Sequence, residues 1–422
     1  MGVQVDSTDT YRVLDKDSLP AYLADIPEVM SILGNDAELE ILEIGDGNLN
    51  FVYQVNNAAD SSRSVIVKQA VPYLRMVGEE WPLSRDRITY EIRALTMYNS
   101  IVPNLVPKIY HADEEMSTLV MQCLDDHIIL RIGMMGGIKY PQVAEHIGQF
   151  MAETLFSTSA WSMESIERRE LMDRFTMNTE LCKLTEDFIF TFPYMEHASN
   201  YSNAGTDEWA KEHIHADFEF KSDVLKFKDL FVSKTDALLH GDLHSGSMMV
   251  NQDESYVIDM EFAFFGPIGF DTGKVIGNFL LSCTSHYHRA GGADYREWLL
   301  QQIPTIWKTF ESRFVHLWEQ SGSSTMLADG FLNDEEAAQF RQSFMVNLLQ
   351  QSAGFAACSM VRRTLGIAGV ADIRDIEPID TRSSLEIANL QLAKILMAER
   401  NSLTTIDDLL AVVRRFYTSS NL

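Results

Sequence analysis

Cysteine is scarce in this chain. Cys123, Cys182, Cys283 and Cys358 lie far apart and no two form a CxxC pair. A chain of 422 residues can fill a core without disulfide staples, so these read as free thiols of a cytosolic protein. Long apolar runs are missing too: none approaches the ~20 residues that a membrane-spanning helix needs. The opening MGVQVDSTDT has neither the basic nor the apolar region of a signal peptide, and Asp6 stands where myristoylation requires Ser or Thr. Basic residues are outnumbered, 34 against 61 acidic ones, for a net charge of −27. That balance argues against nucleic-acid and anionic-membrane partners, which reward Lys/Arg surfaces, while leaving room for a local basic pocket around a small phosphate ligand. Internal repeats and low-complexity tracts are also absent.

What is present suggests an α+β chain in two lobes. Residues 17–33 have the spacing of an amphipathic helix, and 40–57 read as a strand, a glycine turn and a returning strand. SRSVIVKQA (62–70) alternates as a third strand carrying Lys68. RITYEIRALTMYNSIVP (87–103) is helical in period and ends at Pro103 and Pro107, and 117–126 reads as another strand. From about residue 140 the pattern is mostly helical (PQVAEHIGQFMAETLFSTSAW, 295–320, 334–365 and 384–416), with a β-like passage at 237–260. The natural cut falls near residue 124, giving a lobe of 1–123 and a larger one of 124–422.

In the first lobe, GDGNLNFVY places Gly45 and Gly47 in a strand–turn–strand, where backbone N–H groups can approach an anion. No GK[ST] follows, and the turn leads into a strand, so neither a P-loop nor a dinucleotide fingerprint is present. Taken alone this is a glycine hairpin, and Lys68 alone is an edge-strand lysine. Their order with Glu91 changes the reading. A glutamate on the next helix can hold the Lys68 ammonium on phosphate oxygens, as in kinase lobes.

In the second lobe, HGDLHSGSMMV (240–250) precedes a polar turn and YVID. His240 and His244 are four apart, but Gly241 and Gly246 oppose a helix, and the pair reads as loop anchors rather than metal ligands. Asp242 suits phosphate transfer to an alcohol, which needs a carboxylate to orient the hydroxyl and accept its proton. MMV and YVID form a plausible hairpin, bringing the loop before it and the acids after it to one end. Asp259 and Glu261, on one side of an extended segment, suit a hard cation, and their apolar neighbours imply partners for both.

These residues together resemble the protein-kinase-like small-molecule kinases, most closely the 5-methylthioribose kinases. The similarity lies in GDGNLNFVY, HGDLHSGSMMV and IDMEFAFFGPIGFD, in the tryptophan-bearing VPYLRMVGEEWPLSRDRITYE, and in MVRRTLGIAGV. The resemblance implies a bilobal protein-kinase-like fold with a small antiparallel sheet and one helix ahead of a larger helical lobe. It implies that Asp242 is the catalytic base or orienter. Mg²⁺ would be held by Asp259 and Glu261, with Ser247 in the slot where protein kinases place a second metal-binding Asn. ATP would be contacted by Lys68 (paired to Glu91), by the loop at Gly45, Gly47 and Asn48, and by the lobe linker at Gln122 and Leu124. Arg362, Arg363 and Trp81 would face the substrate, and Asp271 would cap the following helix. The implied reaction is ATP-dependent phosphorylation of the 1-hydroxyl of 5-methylthioribose in methionine salvage, by a cytoplasmic homodimer.

Two other readings stand beside it. The same fold could serve another alcohol of the aminoglycoside, choline or homoserine type, although an arginine pair is ill suited to a cationic acceptor. A non-catalytic nucleotide-binding relative would lack an essential acid, whereas Lys68, Asp242, Asp259 and Glu261 are all present.

Overall fold

The computed structural model describes residues 11–45, 49–75, 77–200, 203–289 and 291–420. The chain divides into two units: Met1–Asp125 with the short segment Asp259–Phe262, and Asp126–Ile258 with Ala263–Leu422.

The first unit is built on a five-stranded antiparallel sheet in the order Leu39–Glu43, Asn50–Asn57, Asp60–Ala70, Thr118–Gln122, Ile109–Asp113. Successive side chains of a strand point to opposite faces. Tyr53, Val55, Val65 and Val67 therefore share one face, where they pack with Leu19, Leu23, Val29 and Leu33 from the N-terminal helices. Those helices, Leu19–Ala24 and Pro27–Leu33, are two rather than the single helix that the periodicity of 17–33 suggests. Pro27 has no N–H to continue the first and sets the first turn of the second. Lys68, next to Val67, turns to the opposite face of the central strand. It is not on an edge. The helix Arg87–Ile101 packs against the Met260–Phe262 turn within this unit. Trp81 lies in the small hairpin formed by Tyr73–Leu74 and Gly78–Pro82.

The second unit is mainly helical. Its small strands pair locally: Met248–Val250 with Ser255–Val257 and Ile128–Ile129, and Ala237–Leu239 with Phe264–Gly266. At its centre the Ile268–Ser285 helix is buried along its whole length and packs against Asp334–Leu365. Gly269, Gly273 and Gly277 recur every four residues on the contact face. A Cβ on Gly273 would fall 2.5 Å from the Ser352 carbonyl oxygen, and one on Gly277 would fall 2.9 Å from that of Ala356. Only hydrogen at these positions lets the two backbones approach so closely, and the Thr272 and Ser352 hydroxyls bond across the seam at 2.6 Å. All four cysteines are free thiols. Among the described residues no helix is long and apolar enough to cross a membrane.

Candidate active site

In the first unit, the Lys68 Nζ donates to Glu91 Oε1 at 2.9 Å and to Asp259 Oδ1 at 2.8 Å. Asp259 adopts φ +63°, a left-handed conformation that a non-glycine residue holds only where its surroundings impose it. Beyond it Met260–Phe262 forms a 3₁₀ turn. The extended segment expected for Asp259 and Glu261 is thus replaced by a tight bend, which still leaves both carboxylates in this unit. Glu261 is buried and accepts from Asn50 Nδ2 at 2.6 Å, and Asn50 Oδ1 accepts from Arg87 Nε at 2.8 Å. Arg87 also donates to the carbonyls of Leu49 and Ser84, so one guanidinium joins the end of the glycine turn to the chain after Trp81.

One ammonium is shared here by Glu91, Asp259 and Glu261. Burial pushes Glu91 up to about 7 and raises Glu261 as well, with Lys68 only partly offsetting it. Burial also opposes the Lys68 charge, but the Asp259, Glu91 and Glu261 carboxylates hold the ammonium firmly protonated. This surplus of hard oxygen donors fits a divalent cation. The Asp259 side chain is 46 % exposed, so it can be reached. Among the described residues no group of three or more His, Cys, Asp or Glu side chains is arranged to hold a metal. Asp259 and Glu261 would be a two-carboxylate set, which suits Mg²⁺, an ion that usually takes one or two carboxylates and completes its shell with phosphates and water.

The remaining first-unit candidates are placed as follows. The Gly45 carbonyl accepts from Arg75 at 3.2 Å, while Gly47 and Asn48 lie outside the described residues. The Gln122 N–H bonds the Lys108 carbonyl at 2.9 Å, and its side-chain oxygen accepts from the Lys108 N–H at 3.3 Å. Leu124 is buried.

In the second unit, Asp242 lies in the 240–247 loop. Gly241 precedes it at φ +80°, a backbone state open to glycine at little cost. The His240 ring accepts the Asp242 N–H at Nδ1 (3.2 Å) and bonds the Ile258 carbonyl through Nε2 (2.8 Å). His244 Nδ1 accepts the Gly246 N–H at 2.8 Å, so its ring hydrogen sits on Nε2 and is donated to Asp242 Oδ2 at 3.1 Å. Burial, then Arg363, holds His244 well below its usual range, and it is neutral. Both imidazoles are occupied in shaping the loop. Ser247 is occupied likewise: its hydroxyl accepts the His244 N–H at 2.9 Å and points at the Asp242 and His244 carbonyls at 3.0 and 2.9 Å.

Cations surround Asp242. Lys274 and Arg362 both bond Oδ1, the latter at 3.2 Å, and Arg363 Nη2 stands 3.9 Å away. Burial alone would raise the Asp242 carboxyl, but Lys274, His244 and Arg362 hold it well below the usual carboxylate range. Arg131 adds a further guanidinium, 3.0 Å from His244 Nδ1 and 3.4 Å from Asp372. Arg363 Nε and Nη2 are buried without a hydrogen-bond partner. The four cations Arg131, Lys274, Arg362 and Arg363 thus outnumber the Asp242, Asp271 and Asp372 carboxylates around this loop, a balance that suits a phosphoryl group.

Residues 40–306 match the phosphotransferase enzyme family. The chain is 37 % identical over 415 residues to methylthioribose kinase 1 of Oryza sativa subsp. japonica, covering 96 % of both proteins. It is 37 % identical to the methylthioribose kinase of Escherichia coli O45:K1 (strain S88 / ExPEC), covering 95 % of this chain and 97 % of that one. Against the methylthioribose kinase of Geobacillus kaustophilus (strain HTA426) identity is 39 %, over 90 % and 92 %. The chain belongs to the methylthioribose kinase family. Among solved structures it is similar to a glucosamine kinase in complex with glucosamine, ADP and inorganic phosphate, with a TM-score of 0.47 and 13 % identity over 92 % of this chain and 87 % of that one.

Within this family member, residues outside the expected catalytic, nucleotide-binding and metal set hold the site together. Asp271 caps no helix. Its carboxylate accepts the backbone N–H groups of His240 (2.7 Å) and Gly241 (3.2 Å), while Pro267 stands at the N-cap. One turn on, Lys274 reaches the Asp242 carboxylate and the Gly241 carbonyl, and Asn278 Oδ1 accepts from the Ser245 hydroxyl at 3.3 Å. Asp271, Lys274 and Asn278 are spaced i, i+3, i+7, so they share one face of the helix. The legible signal was that polar stripe within an otherwise apolar, glycine-spaced helix. Asn50 and Arg87 had a weaker one, since a polar residue in a glycine-turn slot and an arginine at a helix start are both common.

Proposed function

We propose that the chain is an ATP-dependent kinase that phosphorylates the 1-hydroxyl of 5-methylthioribose, yielding 5-methylthioribose 1-phosphate in methionine salvage, and that it works with Mg²⁺ as a cytoplasmic homodimer. Support for the acceptor comes from the family. Support for the chemistry comes above all from Asp242, an ionised carboxylate whose Oδ1 is held by Lys274 and Arg362 while Oδ2 carries a neutral histidine N–H.

In this reading, the sugar hydroxyl bonds Asp242 and attacks the γ-phosphorus in line. An O–P bond forms to the sugar, the bridging P–O bond to ADP breaks, and the hydroxyl proton passes to Asp242. The low basicity of Asp242 fits a loose transition state, in which orientation comes first and proton transfer late. Arg362 and Arg363 meet the negative charge on the transferring group, Arg363 through Nε and Nη2, which carry no hydrogen bond. Lys68, fixed by Glu91, binds ATP phosphates, and the Leu124 backbone serves the adenine. Gly45, Gly47, Asn48 and Trp81 belong to the elements that cover the ligands. Asp259 and Glu261 would hold Mg²⁺, which when bound would supply positive charge against the phosphate oxygens. Ser247 serves the loop, since its hydroxyl is already bonded on both sides.

The test is ADP release against a panel of 5-methylthioribose, ribose, choline, homoserine and an aminoglycoside. Selective turnover with 5-methylthioribose is expected. The cation surplus around Asp242 predicts no turnover with choline or the aminoglycoside, and turnover with either would overturn the acceptor assignment.

A further inference from the structure

The Ile268–Ser285 helix carries one buried cation, Lys274, which the reaction scheme above leaves without a task. Its side chain is 1 % exposed. Among the described residues its ammonium has two hydrogen-bond partners, the Asp242 carboxylate and the Gly241 carbonyl at 3.3 Å, and it lies 5.1 Å from the centre of the Phe270 ring. The nearby Asp271 carboxylate is already taken by the His240 and Gly241 N–H groups.

A buried ammonium needs acceptors for its three N–H donors whatever its role, and here both acceptors belong to the loop that carries Asp242. Lys274 grips the carboxylate and the backbone of the preceding residue together, so it fixes the side-chain torsion of Asp242 relative to its own loop. We propose that Lys274 is a positioning residue for phosphoryl transfer, clamping Asp242 Oδ1 against the loop so that Oδ2 is presented to the acceptor hydroxyl. This rests on the reading that Asp242 orients that hydroxyl.

The groups facing Lys274 are Asp242 from the loop, Asp271 from its own helix, and Arg362 and Arg363 from the Asp334–Leu365 helix; His244, on the other carboxylate oxygen, is neutral. Burial, together with those arginines, brings Lys274 down to about 8, although Asp242 pulls the other way. Below that pH the ammonium clamps Asp242. Above it the neutral amine releases the carboxylate, so turnover falls on the alkaline side.

The experiment compares Lys274→Ala, Lys274→Arg and Asp242→Asn with the unaltered protein, reading kcat, the KM for ATP, and kcat against pH. Lys274→Ala is expected to lose about 100-fold in kcat, the scale of a small misplacement of a reacting group, with the KM for ATP unchanged. Added ethylammonium, filling the vacated space, restores part of that loss. Lys274→Arg, whose guanidinium does not titrate in this range, moves the alkaline fall to higher pH. Wild-type kcat in Lys274→Ala, or an alkaline limb unmoved in Lys274→Arg, overturns the proposal. If Lys274→Ala does not fold, the pH profile of Lys274→Arg decides alone. Full turnover in Asp242→Asn would instead overturn the underlying role of Asp242, so the two failures are distinguishable.

Discussion

Around Lys68, one ammonium is shared among Glu91, Asp259 and Glu261, whereas around Asp242 one carboxylate is shared among Lys274, Arg362 and Arg363. Burial acts on both clusters and the outcomes are opposite. The carboxylates Glu91 and Glu261 are pushed up, while Asp242 is driven down despite burial. A cluster with too many acids attracts a cation, and one with too many bases attracts an anion. The first therefore suits the proposed Mg²⁺, and the second the proposed phosphoryl group. The supports differ as well. The first cluster draws on a sheet strand, a helix and a short turn, so it is assembled from separate pieces. The second is set by the Ile268–Ser285 helix, which pins the loop, and by the helix packed closely against it.

Perturbing each cluster should break a different step. The largest effect is expected for Asp242→Asn, a loss of roughly 1,000-fold or more in turnover with ATP binding intact, measured by ADP release and by nucleotide titration. Next comes Asn50→Ala, which removes the hydrogen bond that orients Glu261. It is expected to raise the Mg²⁺ concentration for half-maximal rate about tenfold, the usual cost of losing an outer-shell partner. The same Mg²⁺ titration on Arg362→Lys should show no shift, and a shift there would dissolve the distinction between the clusters.

A third change tests the scaffold rather than the charges. Gly273→Leu must push the two central helices apart, and overpacking of this kind costs about 1–3 kcal/mol, read as a lower denaturant midpoint. The smallest effect is expected for Ser247→Ala. Losing the loop bonds of one hydroxyl costs about 1 kcal/mol of stability, with the Mg²⁺ requirement unchanged. A raised requirement would return Ser247 to the metal.

Much of this was legible in the sequence because local chemistry carried it. Lys68 lies in an alternating β-branched run, Asp242 sits between glycines and histidines, and Asp259 and Glu261 stand in an apolar segment. What was not legible depends on packing between distant segments. Pro27 splits a helix whose period looks continuous, and the 3₁₀ turn at Met260–Phe262 replaces an extended stretch. Asp271 looks like a cap from its place at a helix start, yet it accepts from a loop some thirty residues earlier. Lys274 is one lysine in a helix until Asp242 is seen beside it.

The most direct test of the central claim is ADP release with 5-methylthioribose as acceptor, followed by the ³¹P spectrum of the product. The account predicts ADP formation that depends on the sugar and Mg²⁺, with a new phosphate-ester signal from phosphorylation at the 1-oxygen. No sugar-dependent ADP release from protein that still binds ATP, or an ester at any other oxygen, would contradict it.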